Sequence, residues 1–156
     1  MKVFTNGFAV CKFTNFKTDG SAGHDSNFPD TDFFLMRAAE AYLIYAEADA
    51  RMNGGTTTTD GAQYINALRS RAHATTHTAY SLRQICDEWS REFYFEGLRR
   101  TTLIRFGYFG GDVNYNWSWK GGVKNGRNFD AHLNIFPIPA SDLTANGNLV
   151  QNQGYN

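Results

Sequence analysis

The sequence holds few of the features that mark several common classes of protein. Lys and Arg total 15 against 15 Asp and Glu. Because the charges balance and no basic run is present, nucleic acid and acidic membrane surfaces are disfavoured as partners. No stretch approaches the ~20 consecutive apolar residues of a membrane-spanning helix. With 2 cysteines among 156 residues, cysteine spacing indicates little, and Cys86 is expected to be a small buried hydrophobic residue.

The first residues do not match the pattern expected of a secretion or lipidation signal. Cys11 follows the apolar residues 8–10, as the acylated cysteine of a lipoprotein would. However, the preceding segment contains Asn6 and Gly7 and lacks an apolar core of roughly 7–15 residues. We therefore expect no signal peptide or lipidation site in this chain. Residues 2–17 alternate loosely between apolar and polar side chains, which predicts one or two short strands or an extended segment.

Hydrophobic periodicity predicts three helices, in a chain whose length suits one domain. They are expected over Phe33–Met52, Asp60–Ala74 and Ser81–Phe106. The first is expected to end at Asn53, Gly54 and Gly55, which are typical of a C-cap. The first is apolar or small around almost all of its circumference, so we expect it to be buried on more than one side. In the third, Ser81 and Gln84 have the spacing of a capping box, and Gly97 interrupts the pattern, which suggests a bend or another backbone passing close by. The apolar stripe of this third helix contains Leu82, Ile85, Trp89 and Phe93.

The helices and their connections predict a fold class. Short Gly- and Thr-rich turns join them, so the chain is expected to be mainly α, with tetratricopeptide-like helical hairpins in an alpha-alpha superhelix. We assign residues 28–106 to the helical core. Residues 107–156 are rich in Gly and Asn near their start and contain prolines later, so we assign them to an irregular, loop-rich cap.

Charged side chains on these helices are expected to form a structural ion-pair network, because buried ions need partners. Glu88, Glu92 and Glu96 recur one turn apart beside arginines. Carboxylates on one helix do not flank a cleft, as the paired acids of a glycosidase must. None is followed by His at the spacing of a di-iron site. We therefore predict no catalytic residue, metal or cofactor. The predicted network comprises Arg37, Glu40, Glu47, Glu88, Arg91, Glu92, Glu96 and Arg99.

Aromatic residues make up 15% of the chain, and three of them alternate in the Gly-rich segment after residue 106. Tyr115, Trp117 and Trp119 would share one face of an extended strand. With Asn116 beside them, these rings suit a carbohydrate platform, in which sugar CH groups stack on the rings and amides bond the hydroxyls. The alternative is that the rings cover the helices or seal a protein contact.

Three blocks of the chain are similar to the C-terminal part of the SusD/RagB family. The first runs from Phe28 to Ala48, FPDTDFFLMRAAEAYLIYAEA, and resembles the family pattern D-x-P-L-M-R-Y-A-E-x-x-L-x-x-A-E-A. The second is REFYFEGLR, from Arg91 to Arg99, which resembles R-E-x-x-F-E-G-x-R. The third combines FPIPASDL (136–143) with NLVQNQGY (148–155). Their order and spacing agree with the family from about residue 10 onward.

The resemblance implies a non-catalytic function. Family members are surface glycan-binding lipoproteins of the outer membrane, and they hold an oligosaccharide over a TonB-dependent, SusC-like transporter. They are typically several hundred residues long, so residues 1–156 are expected to be a C-terminal domain of a larger protein. The family's glycan contacts lie mostly upstream of these blocks, so no binding residue is transferred by motif.

A second hypothesis is a helical-repeat protein-interaction or structural module that makes no direct sugar contact in this fragment. The apolar circumference of the helix predicted at Phe33–Met52 bears on it. If neighbouring helices are missing, we expect an exposed apolar patch or self-association of the fragment.

Overall fold

The computed structural model describes residue 10, residues 12–111 and residues 123–155. Across these residues the chain forms helices joined by loops, with isolated β-bridges and no strand. The prediction of a mainly α fold is confirmed. No helix in the described ranges is long and apolar enough to cross a membrane. The elements are α1 (Ala38–Met52), α2 (Thr59–Arg71), α3 (Leu82–Glu92), α4 (Arg99–Arg105), a 3₁₀-helix (Ala131–Asn134) and α5 (Ala140–Ala145).

The described segment before α1 carries no helix or strand. Of the strands predicted over residues 2–17, the described residues show one isolated bridge, between Phe16 and Ala22. Residues 2–9 and 11 of that prediction lie outside the described ranges, and the described residues 10, 12–15 and 17 are in no strand. Helix α1 begins at Ala38, not at Phe33 as predicted. Leu35 and Met36 are 86% and 85% exposed, so no burial there offsets the entropy lost on forming a helix.

Helix α1 ends where the sequence predicts, at Met52. Gly54 and Gly55 follow with φ of 69° and 93°, and the N–H of Gly55 donates to the carbonyl of Ala50 at 2.8 Å. Such left-handed glycines commonly close a helix. The expected burial on several sides is not found, because α1 packs on α2 and α3 with one face and exposes the other.

Helix α2 is capped by Thr58, two residues before Asp60, the predicted start of this helix. The Asp49 carboxylate of α1 accepts bonds from the backbone N–H and hydroxyl of Thr58, at 2.6 and 2.9 Å. Gly61 packs so closely on Asp49 that a Cβ there would overlap the carboxylate. This contact, which links α1 to the start of α2, moves the helix boundary to Thr59. The helix ends at Arg71, before the predicted Ala74.

The third predicted helix is two helices. Ser81 and Gln84 form the expected capping box of α3, and Ile85, Trp89 and Phe93 are buried as expected. However, α3 ends at Glu92, where the predicted helix continued to Phe106. A turn over residues 93–98 then leads into α4.

Two features explain this break. Gly97 has φ of 80° and Phe95 has φ of 63°, both left-handed. In addition, the carbonyl of Glu92 accepts bonds from Arg37 Nη2 and Lys12 Nζ, each at 2.7 Å. In a continuing α-helix, the carbonyl of Glu92 would accept a hydrogen bond from the N–H of Glu96. That N–H instead donates to the carbonyl of Phe93 at 3.0 Å.

The core lies where α1, α2 and α3 meet. The residues before α2 and α3 are joined, because Thr57 and Tyr80 exchange two hydrogen bonds of 2.9 Å. Cys86 is buried, as predicted. The core residues are Ala39, Leu43, Ala46, Ala50, Ala62, Ile65, Leu68, Tyr80, Ile85, Trp89 and Phe93.

The described C-terminal residues, 123–155, are mostly loops and carry two short helices. They contact the helical core through Arg100, whose Nη2 donates to the carbonyl of Leu133 at 2.9 Å. The same guanidinium lies 3.9 Å from the centre of the Phe136 ring. Farther on, Gln151 exchanges hydrogen bonds of 2.8 and 2.9 Å with the backbone of Ile138. Side-chain to backbone bonds thus replace regular structure here.

Candidate functional site

A cluster of buried and half-buried charges is centred on Arg37, the N-cap residue of α1. Its extended backbone (φ −151°) directs the side chain away from α1 and toward the turn after α3. There Nε and Nη2 donate to the two carboxylate oxygens of Glu96, both at 2.8 Å. Nη1 pairs with Glu92, and the guanidinium lies 4.0 Å from the centre of the Phe93 ring.

Two further cations complete this cluster. Lys12 forms an ion pair with Glu96, and Arg71, at the end of α2, donates to Glu92 Oε1 at 2.6 Å. The side chain of Glu92 is only 9% exposed and that of Glu96 only 3%. We call these five residues the Arg37 cluster. It fastens the N-terminal segment and α2 to the turn between α3 and α4.

The Arg37 cluster keeps both glutamates ionised. Burial raises the pKa of Glu92, but hydrogen bonds and charges from Arg37 and Arg71 outweigh it, so the net pKa is below its ordinary value. For Glu96, burial is likewise outweighed by Arg37 and Lys12, and its pKa is also lowered. Since every cluster carboxylate is unprotonated near neutral pH, neither suits a general acid.

Two more buried glutamates are each held by two arginines. Glu47 of α1 is 5% exposed. It accepts from Arg105 of α4 at 2.9 and 3.0 Å and from Arg51 at 2.9 and 3.0 Å. This arrangement joins α1 to α4.

The other glutamate, Glu88, joins α3 to α2. It accepts from Arg69 at 2.7 Å and from Arg91 at 2.6 Å. Glu47 and Glu88 thus link helices, as does the Arg37 cluster. Paired arginines around each acid supply the partners that a buried charge requires.

The remaining two residues of the predicted network are Glu40 and Arg99. Within the described ranges, Glu40 makes no ion pair, and Arg37, three residues earlier, pairs with Glu92 and Glu96. Arg99 donates to the backbone carbonyl of Cys86 at 3.1 Å. Sequence spacing overlooked Lys12, Arg71 and Arg105. They approach from distant parts of the chain and carry no local signal.

Two grooves flank the turn between α3 and α4. One, of about 510 Å³, is lined by Lys12, Phe34 and both glutamates of the Arg37 cluster. The other, of about 410 Å³, is lined by aromatic rings and arginines, including Trp89, Tyr94 and Phe95. The rings of Tyr94 and Phe95 are 52% and 59% exposed, and exposed rings of this kind can stack on the apolar face of a flat ligand.

The sequence-predicted carbohydrate platform, Tyr115, Asn116, Trp117 and Trp119, lies outside the described residues. It therefore stays a prediction. No group of three or more His, Cys, Asp or Glu side chains able to hold a metal ion is found where the structure is described.

Comparison with known proteins relates this chain to one family. The sequence profile of the SusD family matches residues 1–155. The starch-binding protein SusD of Bacteroides thetaiotaomicron is 45% identical over 153 residues, which are 97% of this chain and 27% of that protein. The SusD-like protein P2 of Formosa agariphila is 29% identical over 150 residues, 87% of this chain and 28% of its own length.

Solved structures show the same relationship. A putative sugar-binding protein of Bacteroides vulgatus superposes with a TM-score of 0.63 at 26% identity, over 87% of this chain and 32% of the other. Surface glycan-binding protein A of Bacteroides uniformis gives a TM-score of 0.61 at 25% identity, over 88% and 30%. The chain spans about a quarter to a third of the length of these relatives. By sequence profile, sequence identity and fold, it belongs to the SusD family.

Proposed function

We propose that this chain is part of a non-catalytic glycan-binding protein that delivers oligosaccharide to a TonB-dependent, SusC-like transporter. The full-length protein would act at the cell surface as an outer-membrane lipoprotein. The observation that carries the proposal is the 45% identity to a protein named for starch binding, across 97% of this chain. We extend that ligand class to this protein and propose a starch-type glucan.

The charges of the described residues support binding rather than catalysis. A glycosidase needs one carboxyl group that holds a proton and a second carboxylate across the substrate. Glu92 and Glu96 instead share Arg37 as a partner, and the pKa of each is lowered. Glu47 and Glu88 are each held by two arginines. All four acids thus fit a scaffold role.

The proposed sugar contacts of this chain are Tyr115, Trp117 and Trp119, with Asn116 as a hydrogen-bonding neighbour. Rings that alternate in an extended segment would present a common face to successive sugar units. The exposed rings of Tyr94 and Phe95 offer an internal comparison, because they also suit stacking but belong to the described turn between α3 and α4. Substituting each set of rings in turn tests which of the two locations contacts the sugar.

Binding of maltooligosaccharides, measured by isothermal titration calorimetry, tests the proposal. The full-length protein and the 156-residue chain would be compared, with cellooligosaccharides as the control ligand. We expect the full-length protein to bind maltooligosaccharides selectively. If the chain itself contributes, W117A/W119A should weaken binding about tenfold or more, whereas Y94A/F95A should not. The scale is taken from nucleobases, whose stacking on an aromatic side chain is worth about 1–3 kcal/mol. Absence of binding by the full-length protein would overturn the proposal.

A structural or protein-interaction role without sugar contact is the second candidate. The exposed apolar side of α1 favours it, since Ile44 is 53% and Met52 is 86% exposed. In that case the full-length protein would bind maltooligosaccharides, and W117A/W119A would leave the affinity unchanged. If this side of α1 contacts the transporter, replacing Ile44 with Glu in the full-length protein should abolish co-purification of the transporter.

A further inference from the structure

Three Asn-Gly pairs lie in the described ranges, at 53–54, 125–126 and 146–147. An asparagine followed by glycine can lose its side-chain amide, because the backbone nitrogen of the glycine is placed to attack the side-chain carbon Cγ and close a five-membered ring. Glycine favours this reaction, since it has no side chain to crowd the nitrogen and its backbone adapts to the ring. The surroundings of each pair therefore decide which asparagine reacts.

The first two pairs are restrained by hydrogen bonds. At the end of α1, Asn53 Nδ2 donates to the carbonyl of Asp49 at 2.8 Å and to its carboxylate at 3.2 Å. Both bonds must break before Cγ can turn to the nitrogen of Gly54, and the carboxylate opposes the negative charge that develops on the attacked amide. In the second pair, the N–H of Gly126 donates to the carbonyl of Val123 at 3.0 Å. We therefore expect both pairs to react slowly in the folded protein.

The third pair is open to the reaction. Asn146 and Gly147 are exposed, and a Cβ at Gly147 would meet no heavy atom within 4 Å. The N–H of Gly147 makes no hydrogen bond within the described residues. In addition, Asn146 Oδ1 accepts from the N–H of Asn148 at 3.1 Å. A donor in that position polarises the bond between Cγ and Oδ1 and stabilises the oxyanion that forms when Cγ is attacked.

We propose that Asn146 is a site of spontaneous deamidation, which loosens the contact between Gln151 and Ile138. The backbone nitrogen of Gly147 loses its proton to hydroxide and bonds to Cγ of Asn146. The bond between Cγ and Nδ2 then breaks, and the nitrogen takes up a proton from water and leaves as ammonia. Water opens the resulting succinimide ring at one of its two carbonyl carbons. Opening at Cγ gives aspartate, and opening at the backbone carbonyl carbon gives isoaspartate, so no atom is oxidised or reduced.

The consequence for the fold follows from the position of Asn146. It lies directly after α5, and its carbonyl accepts from the N–H of Leu149 at 3.0 Å to close a turn. Aspartate at this position adds a carboxylate four residues after Asp142, at the helix end that disfavours negative charge. Isoaspartate lengthens the backbone of the turn by one carbon. Both products disturb the turn that leads to Gln151, whose side chain holds the backbone of Ile138 with bonds of 2.8 and 2.9 Å.

Peptide mapping by mass spectrometry of the full-length protein, incubated at pH 8 and 37 °C, tests the proposal. We expect Asn146 to deamidate about tenfold or more faster than Asn53, because freeing the Asn53 side chain breaks two hydrogen bonds, each worth a severalfold change in rate. Asn125 should also react more slowly than Asn146. In 8 M urea the three asparagines should react at similar rates, since the order depends on the folded surroundings.

Two variants of the full-length protein test the attack by the backbone nitrogen. G147A should slow the loss of the Asn146 amide about tenfold or more, because a methyl group beside the nitrogen crowds the ring closure. The site is open, so the fold should tolerate this change. N148A keeps the backbone N–H that bonds Asn146 Oδ1, so it is the matched control and should react at the unaltered rate.

The deamidated protein carries one more negative charge, so anion-exchange chromatography separates it from the unmodified protein. Hydrogen exchange of the Ile138 amide, which donates to Gln151 Oε1, should be faster in the deamidated fraction. Four results would each overturn the proposal. They are an Asn53 or Asn125 that reacts as fast as Asn146 in the folded protein, rate differences that persist in urea, an unchanged rate in G147A, and equal exchange at Ile138 in the two fractions.

Discussion

Arg37 binds both carboxylate oxygens of Glu96, 59 residues farther along the chain, through two hydrogen bonds of 2.8 Å. The Arg37 side chain is 20% exposed and that of Glu96 is 3% exposed. A planar guanidinium matches a carboxylate in this two-bond geometry, and an ammonium group cannot reproduce it. The pair therefore fixes the direction in which the chain enters α1 and the position of the turn after α3.

Replacing Arg37 with Met should lower the free energy of unfolding by about 3–5 kcal/mol, because Glu92 and Glu96 would remain buried with fewer partners. R37K should cause a smaller loss, since Lys keeps the charge but not the paired geometry. Urea denaturation followed by circular dichroism measures both changes. K17A, at an exposed position, is the control and should change stability by less than about 0.5 kcal/mol. Equal effects of R37M and K17A would contradict a stabilising role for the pair.

Acid should destabilise the fold through the same cluster. The net pKa of Glu92 and of Glu96 is lowered from an ordinary value of 4.5. A carboxyl group whose pKa is lower in the folded state stabilises the fold above its unfolded pKa, and this contribution is lost as the pH falls through the folded pKa. Urea midpoints should therefore be nearly constant from neutral pH to about pH 5 and fall below it. In E92Q/E96Q, which is expected to be less stable at pH 7, that fall should be shallower. An unchanged slope would assign the acid sensitivity to other groups.

Local signals accounted for much of the helical fold. The Ser81–Gln84 capping box and the stripe through Trp89 lie within a few residues of one another, so sequence spacing alone indicated them. The end of α1 followed from Gly54 and Gly55 in the same way. These features depend on residues that are close in sequence, so the sequence alone could predict them.

The end of α3 at Glu92 could not be predicted from local sequence, because the residues that cause it are distant along the chain. Arg37 and Lys12 reach the carbonyl of Glu92 across 55 and 80 residues. Gly97 signalled a bend, but sequence spacing did not show that the helix would end at Glu92. The same limit applied to the ion pairs, since the second partner of Glu47 is Arg105, 58 residues away. The carbohydrate platform at 115–119 stays a prediction.

Replacing Gly97 with an L-residue should destabilise the fold through backbone strain. Its φ is 80°, and a Cβ there would meet no heavy atom within 4 Å, so the effect of Ala isolates backbone strain from steric overlap. We expect G97A to lower the free energy of unfolding by about 1–2 kcal/mol, the usual difference for a left-handed L-residue. G147A is the matched control, because that site is also open and its φ is not left-handed. If both variants unfold at the same urea concentration, strain at the turn is not a factor.

Cys86 should be protected from thiol reagents in the folded protein. Its side chain is buried in α3, and burial raises the pKa of the thiol despite the neighbouring Arg99. Because the thiolate is the reactive form, a raised pKa and restricted access both slow alkylation. In a C11S background, iodoacetamide should modify Cys86 much more slowly at pH 7.5 than in 8 M urea, as followed by mass spectrometry. Equal rates in the folded and unfolded protein would show that the core around Cys86 opens readily in solution.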